Sequence, residues 1–211
     1  MVEPISSKKA FHTALIISPP PSLWPQIQKI RQAHDSAYER WMPHINLAFP
    51  FVEPKEFDCV FELLQKKFES IKPFNLTFKN LGIFKHAKKG VLWAGPQTEN
   101  DEVQEVEKLI LESLPFCDDL IKKSEEGKFH PHLTLAQFDL HKIESMLTSF
   151  QKNWEPIFFS VSEIYMIERS SQTTPFYVKK TIKLGGKGSY EGEINEEMKK
   201  IEGGFYQTKQ F

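Results

Sequence analysis

Two histidines stand in the same short phrase. Pro43-His44-Ile45-Asn46-Leu47-Ala48 returns as Pro131-His132-Leu133-Thr134-Leu135-Ala136, with four of the six positions identical. Both copies are apolar, strand-like runs, and side chains on a strand alternate between faces. His44 and Asn46 therefore share one face while Ile45 and Leu47 point into a core, and His132 and Thr134 repeat the arrangement. Laid side by side, the two strands bring two imidazoles and two hydrogen-bonding side chains into one cleft. That set suits phosphoester chemistry. An imidazole with an ordinary pKa of about 6.5 serves as base or acid near neutral pH. Asn46 and Thr134 are placed to stabilise charge developing on phosphate oxygens. His44 and His132 are thus the catalytic candidates, and Asn46 and Thr134 the phosphate-binding ones. The scheme asks for no metal and no cofactor. The near-symmetry leaves open which histidine is base and which is acid.

The surrounding elements repeat as well. Residues 11–17 read as a buried strand, and Ser22 is placed to cap a helix striped by Leu23, Ile27 and Ile30. The first His-bearing strand spans about 44–51. A helix carries Phe57, Phe61, Leu64 and Phe68 on one face, and a strand alternates Phe74, Leu76 and Phe78. The order then restarts with a strand at 91–94 and a helix through Val103, Val106, Ile110 and Leu114, ended by Pro115. The second His-bearing strand covers about 132–138, and a helix capped by Asp139 runs through Ile143, Met146, Leu147 and Phe150. Strands at 157–167 and 176–184 close the pattern. Each half reads strand, helix, His-bearing strand, helix, strand, which points to internal duplication with approximate two-fold symmetry. Past Leu184 the chain turns glycine-rich and charged, as expected of a peripheral tail or one loose helix.

The two phrases, in their slots, resemble the signature of the two-histidine (2H) phosphoesterase superfamily: two copies of His-x-Thr/Ser-x with x apolar. That superfamily includes 2′-5′ RNA ligase-like proteins, plant cyclic nucleotide phosphodiesterases and 2′,5′-oligoadenylate-cleaving domains. The resemblance runs roughly over residues 11–184 and is densest in Phe129-His130-Pro131-His132-Leu133-Thr134-Leu135-Ala136. It implies an α+β fold of duplicated strand-helix-strand units, bilobal and pseudo-two-fold, with two antiparallel sheets flanking a central cleft and helices outside. The lobes would be roughly 11–80 and 90–184, with exchange of strands allowed, in one domain over 1–184 followed by a tail at 185–211. It also implies a metal-independent phosphodiesterase acting on RNA ends or small nucleotides, at a 2′,3′-cyclic phosphate or a 2′-5′ bond. Ligation through a 2′-5′ link is the same reaction reversed. Two departures stand out: Asn46 replaces Thr or Ser, and Gln137 stands where many relatives carry Arg. If Asn46 spoils turnover, the alternative is a non-catalytic nucleotide-binding module. A third reading is a scaffold whose charged tail recruits a partner.

Composition fits these expectations. The 211 residues are 40% apolar and 26% charged, as in a globular domain, and 18 of them are Phe. A net charge of −1 argues against sequence-independent binding of long nucleic acid, leaving a nucleotide or short RNA as substrate. Cys59 and Cys117 are expected as buried free thiols. No apolar run reaches membrane-spanning length, and residues 1–9 are largely polar. An intracellular protein, cytoplasmic or nuclear, monomeric and without membrane or metal partners, is expected. His12, His34, His86, His130 and His141 read as structural or solvent-facing, since no spaced Asp, Glu or Cys joins His130 and His132 as a zinc site. Lys85, Lys88 and Lys89 are either a solvated turn or a phosphate contact, and Tyr165 and Tyr177 either pack on the sheet or stack on a base. Asp118 and Asp119 read as a solvated loop.

Overall fold

A computed structural model describes residues 4–185. The first half contains β1 (Lys9–Ala10), β2 (Thr13–Ile17), α1 (Trp24–His34), β3 (Ile45–Ala48), β4 (Phe51–Val52), α2 (Phe57–Phe68) and β5 (Phe74–Lys85). The second contains β6 (Lys89–Gln97), α3 (Glu102–Ser113), α4 (Asp119–Lys122), β7 (Leu133–Asp139), α5 (Ile143–Lys152), β8 (Ile157–Val161), β9 (Glu163–Glu168) and β10 (Tyr177–Lys183). The chain is α+β. Eight strands form one antiparallel sheet in the order β10-β9-β2-β3-β7-β6-β5-β8, and β1 and β4 pair in a small second sheet.

The seam between β3 and β7 is the pseudo-two-fold centre. Outward from it, β3, β2, β9 and β10 on one side answer β7, β6, β5 and β8 on the other. The two expected sheets are therefore continuous, but only through the single backbone pair Ile45–Leu133. Strands are exchanged between halves: β5 pairs with β6 and β8, while β9 joins β2 and β10.

The helices bury one face of this sheet. Val60, Leu64 and Phe68 of α2, with Val103, Val106 and Ile110 of α3, recur at helical spacing and are fully or almost fully buried. They share a core with Leu15, Leu47, Leu76, Leu92, Leu135 and Met166 of the strands. Each such fully buried aliphatic or aromatic side chain contributes about 1.5–3 kcal/mol. The opposite face holds a smaller cluster, Ile16, Met42, Tyr165, Ile167, Phe176 and Val178, beside the histidine of the first half.

Several local expectations are revised. Ser22 sits inside a 3₁₀ turn at Pro21–Leu23 and makes no cap, because Pro20 and Pro21 already set the entry angle of α1. Asp139 does not cap α5; its carboxylate meets Lys89 across the sheet at 3.0 Å. The run 157–167 is two strands that separate at Ser162, since β8 must cover β5 at one edge while β9 must lie between β2 and β10 at the other. The β5–β6 hairpin is longer than its hydrophobic alternation, because its outer half packs on α5 rather than in the main core. The tail beyond residue 185 lies outside the described residues.

Candidate active site

The two histidines are held in the same way. His44 donates from Nδ1 to the carbonyl of Met42 at 2.7 Å, and His132 donates from Nδ1 to the carbonyl of His130 at 2.8 Å. In both copies a proline separates acceptor and histidine, and the residue before proline is confined to extended backbone, which holds its carbonyl out for the ring. Nε2 is the second nitrogen of each ring, and that of His44 meets Nδ2 of Asn46 at 3.1 Å. The pairing of Ile45 with Leu133 sets the antiparallel register. Counted one residue either way, it puts His44 opposite Thr134 and Asn46 opposite His132. All four expected residues gather at the seam.

The rings around them differ on the two sides. Trp41 stacks on His44 with centroids 4.5 Å apart and planes at 18°, and is backed by Phe49 and Phe176. On the other side Phe84 meets His132 edge-on at 4.8 Å and Trp93 at 5.0 Å. A cleft of about 530 Å³ opens there, lined among others by Phe84, Trp93, Phe129, His130, His132 and Thr134, with Asn46 from the first half. Gly82 pairs with Trp93 across the β5–β6 ladder, and a Cβ there would lie 2.3 Å from the indole. The missing side chain lets Trp93 lie across its neighbour strand. Trp93 Nε1 and Asn46 Oδ1 are both buried without a partner among the described residues. The residues of this cleft thus include one unmatched donor and one unmatched acceptor, where buried polar groups are mostly paired.

Burial, then the positive charge of Arg31, pushes the His44 pKa down to about 3, only partly countered by the bond to Met42, with His132 adding a smaller push. Burial also lowers the pKa of His132. Arg31 on α1 is almost wholly buried and bonds Asp35 at 2.9 Å, Gln28 at 2.9 Å and the carbonyl of Trp41 at 2.9 Å. Asp35 and Ser36 in turn meet Gln137 of β7, at 3.4 and 2.9 Å. The network thus ties the loop carrying Trp41 to the second His-bearing strand. Motif reading did not find Arg31, Trp41, Phe84 or Trp93. Only Trp93, set in a strand between small residues at 90 and 94–95, carried a visible signal.

The other singled-out residues fall as follows. Lys85 and Lys89 are paired with Glu144 at 2.6 Å and Asp139 at 3.0 Å. Tyr165 packs in the smaller cluster, while Tyr177 is exposed on β10. His34 packs on Phe138 and Phe150, and His130 on Phe84 and Trp93. Asp118 and Asp119 begin α4 and pair with Lys122 and Lys9. Cys117 is buried, which raises its pKa to about 12, and Cys59 is half-buried; both are free thiols. Among the described residues no three His, Cys, Asp or Glu gather as a metal site, and no helix is long and apolar enough to cross a membrane.

A model of the 2′-5′ RNA ligase superfamily matches residues 19–173, a span that holds both histidine phrases. The chain belongs to that superfamily. Solved structures of the superfamily's fold agree over most of the length. The Escherichia coli LigT complex with 3′-AMP is 19% identical and covers 82% of this chain and 97% of its own, with a TM-score of 0.57. A phosphoesterase is 18% identical over 83% and 99%, at 0.55. TT0787 of Thermus thermophilus is 14% identical over 83% and 99%, at 0.53. Other LigT structures hold ATP, phosphate and NADP+. Among curated proteins no sequence matches.

Proposed function

We propose that this superfamily member is a metal-independent phosphodiesterase for RNA ends or small nucleotides, opening a 2′,3′-cyclic phosphate or cutting a 2′-5′ bond. The observation that carries the reading is the matched pair of imidazoles at the seam, each pinned through Nδ1 to a backbone carbonyl so that Nε2 is the nitrogen that can exchange a proton. For a cyclic phosphate, water attacks phosphorus and gives its proton to one Nε2. The bond to the ribose oxygen breaks, and that oxygen takes a proton from the other Nε2. The product is a nucleoside monophosphate, and the pair resets by exchanging one proton with solvent. Thr134 and Asn46 face the phosphate, and the aromatic cleft is of a size to take a nucleoside. The nucleotides held by LigT support a nucleotide-sized substrate.

The test is turnover of nucleoside 2′,3′-cyclic phosphates and 2′,5′-oligoadenylate in the presence of a chelator, followed by chromatography. Wild type is expected to cleave at least one, and His44→Ala and His132→Ala are each expected to lose roughly 10²–10⁴-fold in kcat. Either variant turning over near the wild-type rate, or activity that appears only with added metal, overturns the reading. Supplying a 5′-hydroxyl RNA with a cyclic-phosphate end measures the reverse, joining reaction. Binding without any product identifies a nucleotide-binding module instead.

A further inference from the structure

The halves of the seam match in backbone but not in hydrogen bonding. Asn46 Nδ2 lies 3.1 Å from Nε2 of His44. An amide nitrogen only donates, so His44 Nε2 carries a lone pair, and with Nδ1–H given to Met42 the ring is neutral. The amide oxygen is left buried and unpartnered. Thr134 occupies the matching slot beside His132, and among the described residues its hydroxyl makes no bond to that ring. The charges around His44 reinforce the difference. Arg31, from α1 and tied to Asp35, and His132, just before β7, both oppose a proton on His44; its own strand supplies no charge. Burial and His130 oppose a proton on His132 too, but no arginine does.

A second observation points the same way. The aromatic cleft opens chiefly on the His132 side, against β5, β6, β7 and the segment before β7, with Asn46 reaching it from the first half, whereas Trp41 closes over His44. We propose that Asn46 is a positioning residue that holds His44 as the proton acceptor, making His132 the donor and seating the leaving nucleoside against Trp93 and Phe84. The inference rests on the phosphodiesterase reading and adds its direction. Water takes the place of the Asn46 amide at His44 Nε2, gives its proton there and attacks phosphorus. The bond from phosphorus to the ribose oxygen breaks on the far side, His132 Nε2–H protonates that oxygen, and the base of the same nucleoside occupies the cleft. A Thr hydroxyl at this position rotates freely between donating and accepting, whereas Asn46 as placed turns its donor end to the ring.

Three measurements on the full-length protein test this. First, ¹⁵N NMR of the histidine side chains without substrate is expected to show His44 as the Nδ1–H tautomer with an unprotonated Nε2 well below pH 6; an Nε2–H signal overturns the lock. This readout needs no turnover, so it stands apart from failure of the activity itself. Second, Asn46→Asp presents only acceptors to Nε2 and is expected to raise the acidic limb of the kcat/KM profile by about one pH unit or more. A uniform fall with an unmoved profile marks Asn46 as merely structural. Third, a dinucleotide whose bridging oxygen to the leaving ribose is replaced by sulfur lets the nucleoside itself depart as a thiolate that needs little acid. His132→Ala is expected to recover roughly tenfold or more of its deficit on this ester while His44→Ala does not. Rescue of His44→Ala instead reverses the assignment and overturns the proposal.

Discussion

At the scale of single residues, the proposed chemistry rests on what lies within about 3 Å of two imidazoles. Carbonyls of Met42 and His130 choose the tautomer, and Asn46 chooses the charge of one ring. Holding His44 neutral has a cost that pH exposes. The unfolded chain binds a proton at His44 below about 6.5, whereas the folded protein binds it only near 3. Between those values the unfolded state holds more protons, so stability is complete above pH 6.5 and falls as pH drops towards 3. His132, lowered in the same direction, adds to the slope. We expect a loss of roughly 2–5 kcal/mol across that window, read by denaturant unfolding at stepped pH, and a visibly flatter dependence in His44→Gln. A wild-type curve that is flat between pH 6.5 and 4 would contradict the neutral, buried state of the ring.

At the scale of elements, the cleft depends on a strand pair built around an absent side chain. Gly82 and Trp93 are direct cross-strand partners, and the indole occupies the space a Cβ would take. The same indole carries the unpartnered Nε1 and packs with Phe84 and His130 beside His132. Gly82→Val is therefore expected to expel the ring, destabilise the protein by roughly 1–3 kcal/mol, and shift its tryptophan fluorescence toward a wetter emission. Nucleotide affinity should fall in parallel, as titration with a mononucleotide would show. Unchanged stability would mean that Trp93 has another resting place. The β5–β6 hairpin tip sets Lys85 and Lys89 against Glu144 and Asp139 in exposed ion pairs, and Lys85 also lines the cleft.

For the whole molecule, the decisive joint is the seam. One backbone pair, Ile45 with Leu133, makes the sheet continuous, so side chains must hold the two His-bearing strands in relation. α1 packs against β7, and its Arg31–Asp35 pair reaches Trp41 on one side and Gln137 on the other. The pair is buried, so breaking it alone strands a charge. Arg31→Met is expected to cost about 3–5 kcal/mol, and Arg31→Met with Asp35→Leu markedly less, a non-additivity that a double-mutant cycle by chemical denaturation measures. Additive losses would show that the two charges do not act as a unit.

The sequence alone determined the duplicated order of elements and the four residues at the seam. Periods of 2 and 3.6, and a phrase stated twice, are local properties that short stretches such as 43–48 and 131–136 carry in full. It also marked Asn46 as the odd member, but not the consequence. Tertiary structure alone decided that the run 157–167 divides between opposite edges of the sheet, because strand pairing depends on which distant edge needs a partner. It alone brought Arg31, Trp41, Phe84 and Trp93 to the histidines, since contacts between residues far apart in the chain leave no spacing to read. The asymmetry between His44 and His132 belongs to the same class: two near-identical phrases acquire different chemistry from charge and burial supplied by other parts of the fold.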